Sequence, residues 1–450
     1  MWYFDHRYIL NKGVFPIFSL VAQIVASFKS RVFADGGTFE AESCLNTNVQ
    51  DLVSKGIYDS ASLIVTPNGV KSGKIYALKG SDLTFTRASV ANRTNSVGVL
   101  ESMATGVPRI EYPSGGGCPS ILLEPQRTNY AIQSANPSLW SVYQGVINTA
   151  IANDLLNGYS SYLIYTSTGN VLSGQAYLAL ASGVNVAVVV TYSAKVKAAG
   201  KNWVYLGGIR SGFSPLAWFN VSTGVIGTVL SGITAKIISE SNGYYTISIT
   251  GAIAGATPYA VVGASDADNS TANALVGSNG FRLAYFGAEI GNYATSPIIT
   301  TTTSVTRIFD DASSVISAVT EGTLFIDLTQ VTESTSTGNP DLSITDTTFN
   351  AWVGLTTNTA ANPLRILFRN IGTTLIDYQN ANTSGKIAIR FGAAGVTVYL
   401  NGVLVASSAT AFNSSFTKTR MSCGAGFLVK FKQFDVLGAL TSSQLIALTT

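Results

Sequence analysis

From about residue 57 the sequence is cut into short apolar or alternating runs, separated by Gly, Asn and Ser clusters at intervals of roughly 8–15 residues, the pattern of antiparallel sandwiches or barrels. VAVVVTYSAKV (186–196), WVYLGGI (203–209), AWFNV (217–221), YYTISIT (244–250) and FRLAYFGAE (281–289) read as strands of a first sandwich that closes near residue 300. The Thr-rich stretch TTTTSVTRIFDD (300–311) reads as a linker or a last edge strand. In a second sandwich, TLFIDLT (323–329) and KIAIRF (386–391) alternate, with Ile387, Ile389 and Phe391 on one face and Lys386, Ala388 and Arg390 on the other. Val396, Val398 and Leu400 then share a face before Asn401-Gly402, a strong hairpin signal, and the return Val403-Leu404-Val405. The end, 427–449, reads as a strand followed by a helix capped at Thr441 or Ser442.

Composition agrees. The 450 residues suit two to four domains at roughly 100–200 residues each. Charged residues make up 11%, so Ser, Thr, Asn and Gly must supply most of the polar surface, and the 20 Tyr and 21 Phe against 3 Met favour strands over long helices. The expected fold class is mainly β, with tandem antiparallel β-sandwiches preceded by an N-terminal arm and a short helix.

The formal charge of +3 resides in residues 1–31, where Arg7, Lys12, Lys29 and Arg31 face only Asp5. The rest is neutral, which argues against a nucleic-acid partner. Val14 to Phe28 is a 15-residue apolar run, short of the ~20 residues a membrane-spanning helix needs, and it lacks the cleavage site of a secretory signal. No membrane span is expected. Helical after Pro16, the run would carry Ser19, Gln23 and Ser27 as one polar stripe on a rod that needs burial against partners. A second helix is expected over 38–55, capped by Thr38, with Leu45, Val49, Leu52 and Val53 on its apolar face. Cys44, Cys118 and Cys423 are odd in number and far apart, with no CxxC, and read as reduced, buried thiols.

Several blocks carry a family resemblance. FTRASVANRTNSVGVLE (85–101), GVPRIEY (106–112) and GGGCPSILLEPQRTNY (115–130), continued by AWFNVSTGVIG (217–227), SNGYYTISITG (241–251) and GAEIGNYATSPIITTTTSVTR (287–307), resemble the jelly-roll, carbohydrate-binding-like domain of many bacteriophage virion proteins. ADGGTFEAESCL (34–45) is similar to the leader of that domain in phages of Bacteroidetes hosts, including crAss-like phages. Residues 320–450 resemble a laminin-G or concanavalin-type sandwich. The resemblance implies a virion fibre or spike protein, often a homotrimer, made in the host cytoplasm and displayed on the particle surface. The implied domains are an anchoring arm (1–33), the helix and connecting strands (34–84), the jelly-roll domain (85–310) and the laminin-G-like sandwich (311–450). A capsid (head) fibre is favoured over a tail fibre or tailspike because no shaft repeats are present.

The chemistry available is that of binding. The one histidine, His6, lies in the arm, so a Ser-His-Asp or Cys-His constellation has no material elsewhere, and no acidic pair is marked out for glycoside hydrolysis. The chain is expected not to be an enzyme, a glycan depolymerase being the less favoured alternative. Trp2, Tyr3, Phe4, Arg7, Tyr8, Lys12 and Phe15 form an aromatic and basic peptide suited to docking on capsid or tail proteins. Trp203, Tyr205, Trp218, Trp352 and Tyr399 are candidate platforms for host surface glycans. No cofactor is expected beyond a candidate Ca2+ loop at Asp266, Asp268 and Asn269, residues that an Asx turn also explains. For Glu124, in the LLEPQR block, pairing with Arg127 or Arg109 stands level with a functional role.

Overall fold

The computed structural model describes residues 17–143, 146–151, 160–166, 177–181, 188–208, 210–212, 215–252, 254–271, 279–332, 342–357, 362–423 and 426–450. The candidate anchoring residues Trp2, Tyr3, Phe4, Arg7, Tyr8, Lys12 and Phe15 lie outside the described residues.

The chain is mainly β and builds two antiparallel sandwiches, one inserted into the other. In the split sandwich, Val429–Leu437 runs between Gly322–Val331 on one side and, in succession, Leu63–Lys71 and Ser120–Leu123 on the other. Gly322–Val331 continues the sheet to Gly385–Gly392, Gly395–Leu400 and Val403–Ser408. The facing sheet centres on Asp311–Val319, flanked by Phe416–Ser422 and Leu83–Thr86. Between the sheets lie Leu324, Ile326, Ile387, Ile389 and Phe434, packed with Ala312, Ile344, Val353, Phe368 and Met421.

The inserted sandwich takes residues 127–307. One sheet runs Val146–Ile151, Ser161–Thr166, Gly280–Ile290, Val189–Ala199, Tyr245–Ala252, Thr234–Ser239. The other runs Ser141–Tyr143, Tyr177–Ala181, Ala254–Ser265, Trp203–Gly207, Pro215–Asn220, Val225–Val229. Tyr192, Ala194, Val204, Leu206, Phe219, Ile249, Val262 and Phe286 fill the space between them. The chain enters through Arg127–Asn129 and leaves through Val305–Arg307, which pair antiparallel as a two-stranded neck. The sheets therefore divide near residues 124 and 310. Of residues 85–123, expected in the first sandwich, Phe85 and Thr86 pair with Ala312 and Asp311 and Ile121 to Leu123 pair with Val429–Leu437, while Ala91–Thr94 and Leu100–Met103 form a hairpin of their own.

Two helices cover the split sandwich near its N-terminal strands. Helix α1 (Ile17–Ala34) buries Val21, Val25, Phe28 and Val32, and helix α2 (Glu42–Ser54) buries Leu45, Val49 and Leu52. The first set meets Leu45, Val49 and Tyr76 in one cluster, while Gln23 and Ser27 face outward as the polar stripe required. Gly37 lets α1 close down here, since a Cβ at that position would lie 2.6 Å from the Tyr76 ring. Lys29 pairs with Glu42, and Arg31 with Asp82 at 2.8 Å. By length and composition α1 is apolar enough to cross a membrane, a longer helix than the 15-residue run suggested. Residues 17–33 of the expected arm thus dock on the chain's own sandwich.

Thr38 is not the cap of α2. Thr38 and Phe39 pair with Val70 and Gly69, the ladder runs on through the Glu40 N–H to Asn68, and the helix begins only after the left-handed Ala41. At the other end, helix α3 (Ser442–Thr449) starts with a capping box, Thr441 with Gln444, as its sequence required. Asn401 and Gly402 both take positive φ (49° and 81°) in the expected hairpin, the geometry of a tight turn that matches strand twist. Gly402→Ala should cost about 1 kcal/mol, because φ is unfavourable and the new Cβ would lie 2.9 Å from the Thr450 hydroxyl, and a urea midpoint equal to wild type would contradict this turn.

Candidate functional site

The neck is locked by buried charge. Arg109, on Arg109–Glu111, places one guanidinium nitrogen 2.5 Å from Glu124 Oε2 and a second against Asp310 Oδ2. Asp310 also receives Arg87 at 3.1 Å and the Glu124 N–H at 2.8 Å, while Arg307 reaches Glu124 at 2.9 Å. Ser296 donates its N–H and hydroxyl to the two Glu124 oxygens, at 2.7 and 2.5 Å. Arg87, Arg109, Glu124 and Asp310 have fully buried side chains and Arg307 is 1% exposed, so partners must supply what water would. Glu124 pairs with Arg109, one of its two expected partners, and with Arg307. Arg127 instead lies over the Tyr293 ring at 5.0 Å. Asn129 fixes the neck further, donating to Ile298 O at 2.8 Å and accepting from the Ala131 and Ala288 N–H groups.

Two carboxyls here titrate in opposite directions. Burial alone would raise Glu124, but Arg307, Arg109 and Ser296 hold it down to about 2. Burial dominates at Glu289, pushing it up to about 7 against Arg307 and a Thr295 hydrogen bond of 2.8 Å. A raised carboxyl keeps, in the folded chain, a proton that the unfolded chain has lost. Glu289 therefore stabilises the fold fully below its ordinary value of 4.5, and that contribution is lost as pH rises to about 7. Glu124 contributes above 4.5, and its contribution is lost as pH falls toward 2. Stability should fall between pH 5 and pH 8, Glu289 supplying on the order of 3 kcal/mol of it, and Glu289→Gln should make that slope shallower while the buried Asp435, also pushed up by burial, keeps its share. A wild-type urea midpoint level across this range would refute the assignment.

Beside the neck, the sandwiches enclose a cleft of about 310 Å³. Its inserted-sandwich wall carries Lys195, Lys236, Glu240 and Thr246, and its split-sandwich wall Glu111, Tyr112, Gln330 and Lys430. Lys195 Nζ lies 2.6 Å from Glu240 and 2.7 Å from Thr246 Oγ1. Burial opposes ionisation of Glu240, but Lys195 prevails and lowers its pKa. Across the cleft Lys430 meets Glu111 at 2.6 Å. Burial, with the Glu40 carboxylate beside it, raises Tyr112 to about 12. The loop after Tyr112 ends at Cys118, which forms a disulfide with Cys44 of α2. The expectation of reduced thiols is corrected for these two: their Cα atoms are 5.6 Å apart because α2 docks where that loop returns, while Cys423 is buried and in no disulfide.

The structure does not present the candidate glycan aromatics as an exposed platform. Tyr205 and Trp218 are buried together with Val261, with ring centroids 6.4 Å apart and Trp203 half-buried against them. The loop holding Asp266, Asp268 and Asn269 closes over this cluster, since Trp218 donates its indole N–H to Ser270 O at 2.7 Å. Asp268 accepts from the Thr228 N–H and hydroxyl at 2.7 and 3.0 Å, Asp266 pairs with Lys201, and Asn269 has positive φ. The two aspartate side chains tie a turn down. Among the described residues no group of three or more His, Cys, Asp or Glu converges as a metal site. Trp352 is buried, and Tyr399 is packed under α3 with Phe325, Leu445 and Leu448. Tyr205, Trp218 and Tyr399 belong to packing because a loop and α3 cover sheet faces that the alternation of the strands left open to solvent.

Comparison with known proteins gives little further. No family model and no curated protein matches the chain. Among solved structures, a Bacillus licheniformis β-glucanase aligns over 32% of this chain and 75% of its own, at 12% identity and a TM-score of 0.23.

Proposed function

We propose that this chain is a structural protein of a bacteriophage particle, a head fibre on the capsid surface. It would be anchored through its N-terminal arm, assembled as a homotrimer, and adhere through its sandwiches to cell-surface or mucus glycans. The observation that carries this reading is where the phage-resembling blocks meet. Arg87 from the first, Arg109 from the second, Glu124 and Asn129 from the third, and Glu289, Ser296 and Arg307 from the last lie far apart in sequence and together build the neck. The residues of those blocks thus converge on the device that joins one sandwich to the other, a scaffold suited to display. Many copies on one particle turn weak contacts into useful avidity. The uncovered side of α1, where Phe18 is 69% and Phe33 54% exposed, supports assembly with a partner or further copies.

Quantitative mass spectrometry of density-purified particles of the virus encoding the chain tests this reading. The expected result is the full chain at many copies per particle, in constant ratio to the major capsid protein. Its absence from intact particles would overturn the proposal.

A further inference from the structure

We infer that the cleft between the sandwiches is a binding site for an acidic saccharide, one bearing carboxylate as well as hydroxyl groups. The inference rests on the adhesive reading above and gives it a location and a ligand class. Four of the five aromatics that could have formed an open sugar platform are buried, so recognition must lie elsewhere. The cleft walls are rich in hydrogen-bonding groups, among them Ser114, Ser239, Thr246, Gln330 and Thr332. Both walls are pre-organised: Lys195 is held by Glu240 and Thr246, and Lys430 by Glu111, so these side chains need little ordering on binding. These two ion pairs cancel internally. Lys236 remains, exposed on Thr234–Ser239, lining the cleft and without an ion pair among the described residues. One uncompensated ammonium amid hydroxyls and an amide matches a sugar acid better than a neutral sugar. A phosphate-rich ligand would meet Glu111 and Glu240 on opposite walls.

The test uses the full chain and matched probes: tetragalacturonate, its methyl ester as the uncharged counterpart, a hyaluronan tetrasaccharide and sialyllactose, titrated by calorimetry. At least one acid should bind, with tetragalacturonate favoured over its ester by about ten-fold. Lys236→Ala should abolish that preference. Gln330→Ala, on the opposite wall, should weaken the acid and the ester alike, which a general surface-charge effect of Lys236 would not produce. Binding to none of the three acids overturns the inference. Acid binding unchanged in both variants also overturns it, but leaves the adhesive reading standing with its site elsewhere. Particles that adhere to host cells equally with wild-type and Lys236→Ala chains would separate the two in the same way.

Discussion

Arg109→Met is expected to destabilise the protein by about 3–5 kcal/mol, because it strips Glu124 and Asp310 of a shared cation inside a region water does not reach. Methionine matches much of the arginine's length, so the loss measures uncompensated charge more than volume. The substitution sits in the split sandwich, yet its partners carry the chain into and out of the inserted one. Limited proteolysis should accordingly cut the variant first near residues 124–127 and 305–310, while the wild type resists there. Equal urea midpoints and equal cleavage patterns would mean that the five buried charges do not hold the sandwiches together.

The second large effect is expected from the Cys44–Cys118 disulfide. It closes a span of 74 residues, and removing it as the double serine variant should cost about 4 kcal/mol in the chain-entropy description. It ties α2, and through α2 the docked α1, to the loop beside the cleft. Hydrogen exchange after reduction should therefore quicken in residues 17–54 and 112–119 before it does in the strands of either sandwich. Identical thermal midpoints with and without reductant would contradict this role.

The elements that local chemistry specifies were readable from the sequence, and those that depend on distant partners were not. The hairpin at Asn401-Gly402 announces itself because few residues tolerate two successive positive φ values, and α3 because Thr441 and Gln444 satisfy each other's backbone. Strands such as Val189–Ala199 follow from their own alternation. The insertion of one sandwich into the other left no such trace. Leu63–Lys71, Leu83–Thr86 and Ser120–Leu123 carry apolar side chains whichever sheet they join, and only pairing with strands 225 to 373 residues away decides. The disulfide was hidden likewise, since two cysteines 74 residues apart show no motif. For Glu124 the sequence left Arg109 and Arg127 both open as partners, and Asp310 read as a turn after a strand although it is the second anion of the neck. The available signal was an arginine in each of the resembling blocks 85–101, 106–112, 115–130 and 287–307, a recurrence that turns and strands alone do not need.

The central claim is display on the particle surface, and the most direct measurement is immunogold electron microscopy of intact virions, with antibody raised against residues 320–450. The account predicts gold distributed around the capsid. Gold confined to the tail tip would contradict the head-fibre assignment and make the chain a receptor-binding tail protein, and particles that carry no gold anywhere would contradict display itself.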